Sequence, residues 1–397
     1  MTNDQSESLS LRVPAAIRRR VGPYSQILGI AIALAAIIGP TWVAMTIGGV
    51  NARIFWEAGR HVLHGESPYG VVSLEVLGRR DQFVYPAFAG FLFAPFGTMP
   101  WTLGGTLLVG LTGLCAPLAL RIVGVRSVWC MALALSSMPV FFGLANGSIT
   151  GLLLPGIAVI WVFRDRPWIV AFAIAFVTAL KVFLGGMVVW CLLTRRWRAA
   201  ALSALVTAVV VVGTWALIGF DSFFEYPRML ELLAEVQQHA AFAPTSFFLA
   251  AGTDTSTARA ASAALAAILL MVAAWRARES DEIGSFAFVL LALMAFSPVI
   301  WIDYLALPII ALAARRPTLD RAWLLVPGMW LLLFVTPRPF ESDGPAGILL
   351  ALGLATALCI ASCSAGRRGQ RRVAGLNACT PHTASTSAPR MPPSLDS

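Results

Sequence analysis

Lys181 is the only lysine in a chain of 397 residues whose other permanently charged basic residues are all arginine, and it stands inside an apolar stretch, residues 168–193. An ammonium at membrane depth costs several kcal/mol, so such a residue is a functional candidate by default, offering positive charge to an anionic group. The bland alternative is a stray lysine near a helix end whose head snorkels to the interface. Asp303, in the apolar piece 284–314, is its acidic counterpart. A carboxylate there can take a proton, or it can simply form an ion pair with Lys181 or an arginine. Glu57 and Glu66 are further candidate bases, recommended by location alone. His61 and His64 lie three apart and could share a metal, but without a third ligand they fit a solvated polar face.

The elements that must position these groups are set by composition. Hydrophobic residues make up 58% and charged residues 12% of the chain, and mean hydropathy is +0.77. Soluble domains carry about 25% charged residues, so the chain is expected to be an all-α polytopic membrane protein. Residues 27–50, 101–122, 199–220 and 347–363 are each near the roughly 20 apolar residues that cross a bilayer as a helix. A barrel is disfavoured, because its strands would alternate rather than run continuously apolar. The net charge of +9 does not imply nucleic acid, since the arginines fall in short clusters between apolar runs rather than on one basic face. Cys115, Cys130, Cys191, Cys359 and Cys363 lie in or at the ends of apolar segments, at no zinc or redox spacing, and no disulfide is expected. Residues 1–24 lack a signal-cleavage pattern, and the first apolar run is too long for a signal core, so it is expected to stay as an anchor.

The basic clusters are Arg18-Arg19-Arg20, Arg121 with Arg126, Arg164 with Arg166, Arg195-Arg196 with Arg198, Arg276 with Arg278, Arg315-Arg316, and Arg367-Arg368 with Arg371-Arg372. The positive-inside rule makes them cytoplasmic turns, with both termini inside. Residues 51–85, 146–150 and 221–244, Lys181, Asp303 and residues 338–345 then face the outside. Residues 168–193 and 284–314 are flanked by arginines at both ends, so each must go out and back on short or broken helices. Lys181 and Asp303 thus fall at the tips of two hairpins, although neither was used to set the orientation. Counting a short or re-entrant element at residues 83–98, roughly ten to thirteen membrane segments are expected.

Residues 51–65 have helical period, with Ala52, Phe55, Trp56, Gly59, Val62 and Leu63 on one face and Arg53, Glu57, Arg60, His61 and His64 on the other. This predicts an interfacial helix, serving as a connector or as an active-site wall. Residues 221–238 carry Glu225, Arg228, Glu231 and Glu235 at spacings that favour a solvated helix with internal ion pairs. Proline at Pro86 and Pro95 is expected to break a short element after Tyr85. The expected organisation is a cytoplasmic segment 1–24, a membrane domain 25–365, and a basic, then disordered, cytoplasmic tail 366–397.

Several strings occur in a telling order. Asn51-Ala52-Arg53-Ile54-Phe55-Trp56-Glu57-Ala58-Gly59-Arg60 is followed by Gly65-Glu66-Ser67-Pro68-Tyr69. Then come Phe83-Val84-Tyr85-Pro86, Ala94-Pro95-Phe96, Asn146-Gly147, Ala179-Leu180-Lys181, Thr194-Arg195-Arg196-Trp197-Arg198 and Ser297-Pro298-Val299-Ile300-Trp301-Ile302-Asp303-Tyr304. On these, residues 25–365 resemble glycosyltransferase family 87, the polyprenyl-phosphate-mannose-dependent mannosyltransferases of the GT-C fold.

The resemblance implies a GT-C-like bundle in the cell membrane, with its site on the outer face. There a hexose, mannose by resemblance, passes with inversion from a polyprenyl-phosphate donor to a glycan or glycolipid. Such transfer needs a base for the acceptor proton and cations for the departing phosphate. Lys181 fits the phosphate role, with Arg53 or Arg60 assisting, and Tyr85, Asn146 and Trp301 fall at substrate-binding positions. Two departures stand out. Where the family usually has its aspartate base this chain has Asn51, and an amide is not basic. Where the family usually has histidine this chain has Asp303. Either Asp303 has taken over as base, with Glu57 a lesser candidate, or the chain is a catalytically lapsed lipid-binding or transport protein. The implied partners are the lipid-linked donor, the acceptor and membrane lipids. No cofactor and no metal are expected, since there is no phosphate-cradling glycine loop and no paired acidic spacing.

Overall fold

The protein is described by a computed structural model covering residues 15–336 and 344–364, with side chains for 24–336 except Gly48 and for 344–363. Most of the expected N-terminal segment 1–24, nearly all of 338–345 and the tail from 366 onward lie outside the described residues. Among those described there is no strand. The helices are α1 (Ala15–Val43), α2 (Val50–Leu63), α3 (Leu74–Gly78), α4 (Ala87–Gly97), α5 (Trp101–Ile122), α6 (Val128–Leu135), α7 (Met138–Ala145), α8 (Thr150–Val162) and α9 (Pro167–Leu180). They continue with α10 (Met187–Leu193), α11 (Trp197–Ile218), α12 (Asp221–Gln237), α13 (Pro244–Ala250), α14 (Thr255–Arg278), α15 (Glu282–Phe296), α16 (Leu307–Arg315), α17 (Leu325–Gly328) and α18 (Pro345–Ser364).

Five helices, Tyr24–Ile47, Trp101–Ile122, Trp197–Ile218, Thr255–Arg278 and Pro345–Cys363, are long and apolar enough to cross a membrane. A sixth span arises if α6 and α7, bent by 57°, are taken as one. Six more apolar helices are shorter, among them Ala87–Gly97, Thr150–Val162, Pro167–Leu180 and Glu282–Phe296. Against the ten to thirteen membrane segments expected from sequence, the described residues thus hold five or six helices long enough to span, the other apolar helices being shorter.

The two broken hairpins are present. Helix α9 ends as Lys181 turns extended (φ −150°, ψ 107°), and a short 3-10 helix, Val182–Gly186, leads into α10. Helix α15 ends before Ser297-Pro298, where the proline removes an N–H and disfavours helix at the preceding residue. A second 3-10 helix, Ile302–Ala306, then leads into α16. Each hairpin returns to its own start. Arg196 after α10 meets Asp165 before α9 at 3.1 Å, and Arg315 ending α16 meets Asp281 capping α15 at 4.0 Å. Glu282 joins the pair by holding Arg164 and Arg196, each at 3.0 Å. The arginine-rich turns are therefore gathered at one end of the bundle, and the tips bearing Lys181 and Asp303 lie at the far ends of α9 and α15. Arms of 14 and 15 residues rise roughly 20 Å, short of the ~30 Å hydrocarbon core.

Helices meet closely where a residue lacks a side chain, the usual device in membrane bundles. A Cβ on Gly59 of α2 would sit 2.6 Å from the Phe93 carbonyl oxygen of α4. Backbone cannot rotate aside as a side chain can, so Gly59→Ala is expected to destabilise by about 1–3 kcal/mol. The check is the thermal unfolding midpoint in detergent, which falls if α2 is held directly against α4.

Two expectations are corrected. Leu63, placed on the buried face of α2, is 47% exposed, because the chain turns away at His64 and its neighbouring apolar positions already cover α4. In α12 none of Glu225, Arg228, Glu231 and Glu235 pairs with another among the described residues, and the helix is not plain scaffolding. Its face carrying Tyr226, Leu233 and Gln237 is buried, since it packs against α3 and walls the cavity described next.

Candidate functional site

A cavity of about 540 Å³ lies where α2, the tips of both hairpins, α12 and the segment before α4 converge. Six of the residues singled out in the sequence line it: Asn51, Tyr85, Asn146, Lys181, Trp301 and Asp303. Arg53, Glu57 and Arg60 do not. Arg53 pairs with Glu57 at 2.7 Å and lies over the Trp56 and Trp101 rings, and Arg60 also lies over Trp56. Both members of the Arg53–Glu57 pair are about half exposed, where an ion pair contributes little. His61 bonds Glu66 at 2.9 Å and His64 turns back to the Arg60 carbonyl, so neither faces the other as a co-ligand.

The turn between α7 and α8 builds the polar end of the cavity. The Asn51 N–H donates to the Asn146 carbonyl at 3.2 Å, which seats the start of α2 on this turn. Gly147 has φ +67°, and a Cβ there would run into Ala52, so both the backbone twist and the close approach require glycine. One and three residues further on, the hydroxyls of Ser148 (2.6 Å) and Thr150 both donate to Oδ2 of Asp303. Asp303 is 8% exposed, Ser148 4% and Thr150 3%, so a buried carboxylate is satisfied on one oxygen by two buried donors. Its Oδ1 accepts no hydrogen bond from a described residue. The turn thus bonds the backbone of position 51 and the side chain of position 303 and brings both to one cavity.

Lys181 is held by aromatic faces. Its Nζ lies 4.8 Å from the centroid of Tyr85 and 5.2 Å from that of Tyr304, so cation–π attraction compensates part of its lost hydration. Tyr85 is itself fixed by a ring contact of 4.7 Å with Phe55 of α2. Lys181 and Asp303 line the same cavity without a direct ion pair. Trp301 carries the Arg80 guanidinium 5.4 Å above its ring, and Arg80 adopts φ +59°, a left-handed backbone unusual for a side-chain-bearing residue.

Much of the remaining wall is apolar, formed by residues such as Leu77, Val84, Leu230 and Leu233. Val182 and Phe296 also line the cavity yet are 46% and 66% exposed. The cavity therefore reaches the protein surface where these two apolar side chains are exposed. The arrangement can hold an anion at an ammonium, place a carboxylate oxygen near it, and leave an apolar appendage outside. Sequence reasoning missed Ser148 and Thr150, whose hydroxyls are unremarkable in an apolar run, as well as Arg80, Gln82 and Gln237 in the wall. Among the described residues no group of His, Cys, Asp or Glu is placed to hold a metal ion, and the five described cysteines are buried and unpaired.

A family model described as Glycosyltransferase family 87 matches residues 83–301, a little more than half of the chain. The matched stretch contains Tyr85, Asn146, Ser148, Thr150, Lys181 and Trp301; it begins after Asn51 and ends just before Asp303. No curated protein and no solved structure matches the chain.

Proposed function

The chain belongs to glycosyltransferase family 87, a membrane glycosyltransferase, and from that premise we propose that it transfers a hexose, mannose by the family resemblance, from a polyprenyl-phosphate donor to a hydroxyl of an outer-face glycan or glycolipid. The observation that carries this reading is the meeting of Lys181 and Asp303, from two separate hairpins, in one cavity with an opening lined by the exposed apolar side chains of Val182 and Phe296. A lipid-linked phosphate suits that opening: its chain stays in the apolar surroundings past Val182 and Phe296 while its phosphate meets the ammonium.

In the proposed step an acceptor hydroxyl oxygen attacks the anomeric carbon from the face opposite the phosphate, which inverts the configuration. The carbon–oxygen bond to phosphate breaks, and its electron pair leaves on the phosphate oxygen, beside Lys181. The acceptor proton passes to Asp303. A fixed positive charge counts most where negative charge develops in a site with little water. Asn51, Tyr85, Asn146 and Trp301 are assigned to sugar and acceptor contacts, with amides and aromatic faces suited to hydroxyls and ring carbons. Arg53, Arg60 and Glu57 are given no direct part, because they lie outside the cavity wall. For orientation we favour cytoplasmic termini and an outer-face site, a view supported by the arginine-rich turns collected at the end of the hairpins away from the cavity.

The test is transfer from radiolabelled polyprenyl-phosphate-mannose to native membrane lipids by the purified protein and its Asn51→Asp variant. With Asp303 as base, wild type transfers and the added carboxylate leaves the rate of the same order. A silent wild type that Asn51→Asp switches on would show instead that this scaffold binds donor but has lost its base.

A further inference from the structure

The hydroxyls on Asp303 point to a role that rests on the functional reading above and deepens it. Each hydroxyl has one hydrogen, and both hydrogens are directed at the same carboxylate oxygen. Ser148 and Thr150 also approach each other at 3.1 Å, but neither has a second hydrogen to give. The Ser148 oxygen instead accepts from the Thr150 backbone N–H at 3.3 Å, which fixes the direction in which its own hydrogen leaves. A carboxylate oxygen offers two lone pairs, so Oδ2 is saturated. Behind it, a Cβ at Gly143 would lie 3.1 Å from the Asp303 Cβ, so the stem of the side chain packs against the α7 backbone and a side chain at 143 would crowd it. Oδ1 is left as the Asp303 oxygen with no donor among the described residues, on a side chain that lines the cavity.

We propose that Ser148 and Thr150 are positioning residues for the transfer reaction: by occupying Oδ2 of Asp303 they direct the acceptor's proton to Oδ1 and hold that oxygen in line with the acceptor hydroxyl. The acceptor O–H bond breaks, its hydrogen forms a bond to Oδ1, and the carboxylate becomes a neutral acid that still accepts both hydroxyl bonds on Oδ2. Positioning of this kind acts on the transition state, since the ground-state complex does not need the proton in flight. A displacement of about 1 Å in such a group costs roughly 10²-fold in rate. Neither residue type announces this in sequence, because threonine and serine are common in membrane helices, where their hydroxyls turn back to the preceding turn.

The experiment measures kcat and KM for donor and acceptor in Thr150→Val, Thr150→Ser and Ser148→Ala, with Asp303→Asn alongside. Thr150→Val is expected to lower kcat roughly 10- to 100-fold with both KM values within about twofold of wild type. Thr150→Ser, which keeps the hydroxyl, recovers most of the rate. Adding Thr150→Val to Asp303→Asn produces no further loss, because the hydroxyl acts through the carboxylate. An unchanged kcat in both Thr150→Val and Ser148→Ala, with Asp303→Asn inactive, overturns the positioning role and leaves the functional reading standing. Full activity in Asp303→Asn overturns the reading of the site itself. Equal losses in Thr150→Val and Thr150→Ser, or a rise in KM in place of a fall in kcat, would mark packing rather than positioning and would also overturn the proposal.

Discussion

Asp303→Asn is expected to lower sugar transfer by about 10²- to 10⁴-fold, the range a positioned general base contributes, with insertion and donor binding unchanged. Asparagine has nearly the same shape, and its side-chain oxygen can still accept from Ser148 and Thr150, so the turn that seats α2 stays in place. What is lost is the basic, negatively charged oxygen, an amide N–H₂ standing in place of Oδ1. Initial rates at saturating donor, together with size-exclusion behaviour and donor binding, separate that loss from misfolding. Activity within twofold of wild type would take the base role from Asp303. The alternatives are weaker on geometry, because Glu57 is engaged by Arg53 on the exposed side of α2 and Glu66 by His61.

The same result bears on the exchange at positions 51 and 303. A carboxylate at either place would face the same cavity, because the Asn146–Thr150 turn bonds the backbone at one and the side chain at the other. Moving the acid from the start of α2 to the second hairpin tip therefore needs no new cavity. It does need donors able to keep a buried carboxylate satisfied, and Ser148 and Thr150 supply them.

Much of the fold was legible because charge in an apolar run is rare and costly, so arginine clusters mark turns and a lone lysine or aspartate marks a tip. The hairpins around Lys181 and Asp303 follow from that alone. The side of α2 facing the cavity was not legible. Period separates an apolar face from a polar one, but the cavity meets α2 near its first turn, at Asn51 and Ile54, and leaves Arg53, Glu57 and Arg60 on the other side. Helix α12 was misjudged for a related reason: its charges suggested a solvated face, while its opposite face is pressed over the cavity. Ser148 and Thr150 were invisible because their partner is about 150 positions away in the chain, and nothing in local composition identifies it.

Lys181→Met should reduce kcat by about 10²- to 10³-fold, the loss seen when one preorganised electrostatic group is removed from a developing anion. Methionine keeps length and can lie against the Tyr85 and Tyr304 rings, so the cage is filled while the charge is gone. Lys181→Arg should retain part of the rate, because a guanidinium also stacks on aromatic faces but delivers its charge over a wider, planar group. Stability distinguishes this role from a structural one. An ammonium without a direct ion pair, held at the tip of a short hairpin, is costly to keep in place, so its removal should leave the unfolding midpoint unchanged or raise it. If Lys181 served only to neutralise Asp303, Lys181→Met and Asp303→Asn would each lower the midpoint, and the double variant would be no less stable than either. A lost rate with a preserved midpoint would place Lys181 among the groups kept for transfer at the expense of stability. A preserved rate in Lys181→Met would remove the phosphate from this end of the cavity altogether.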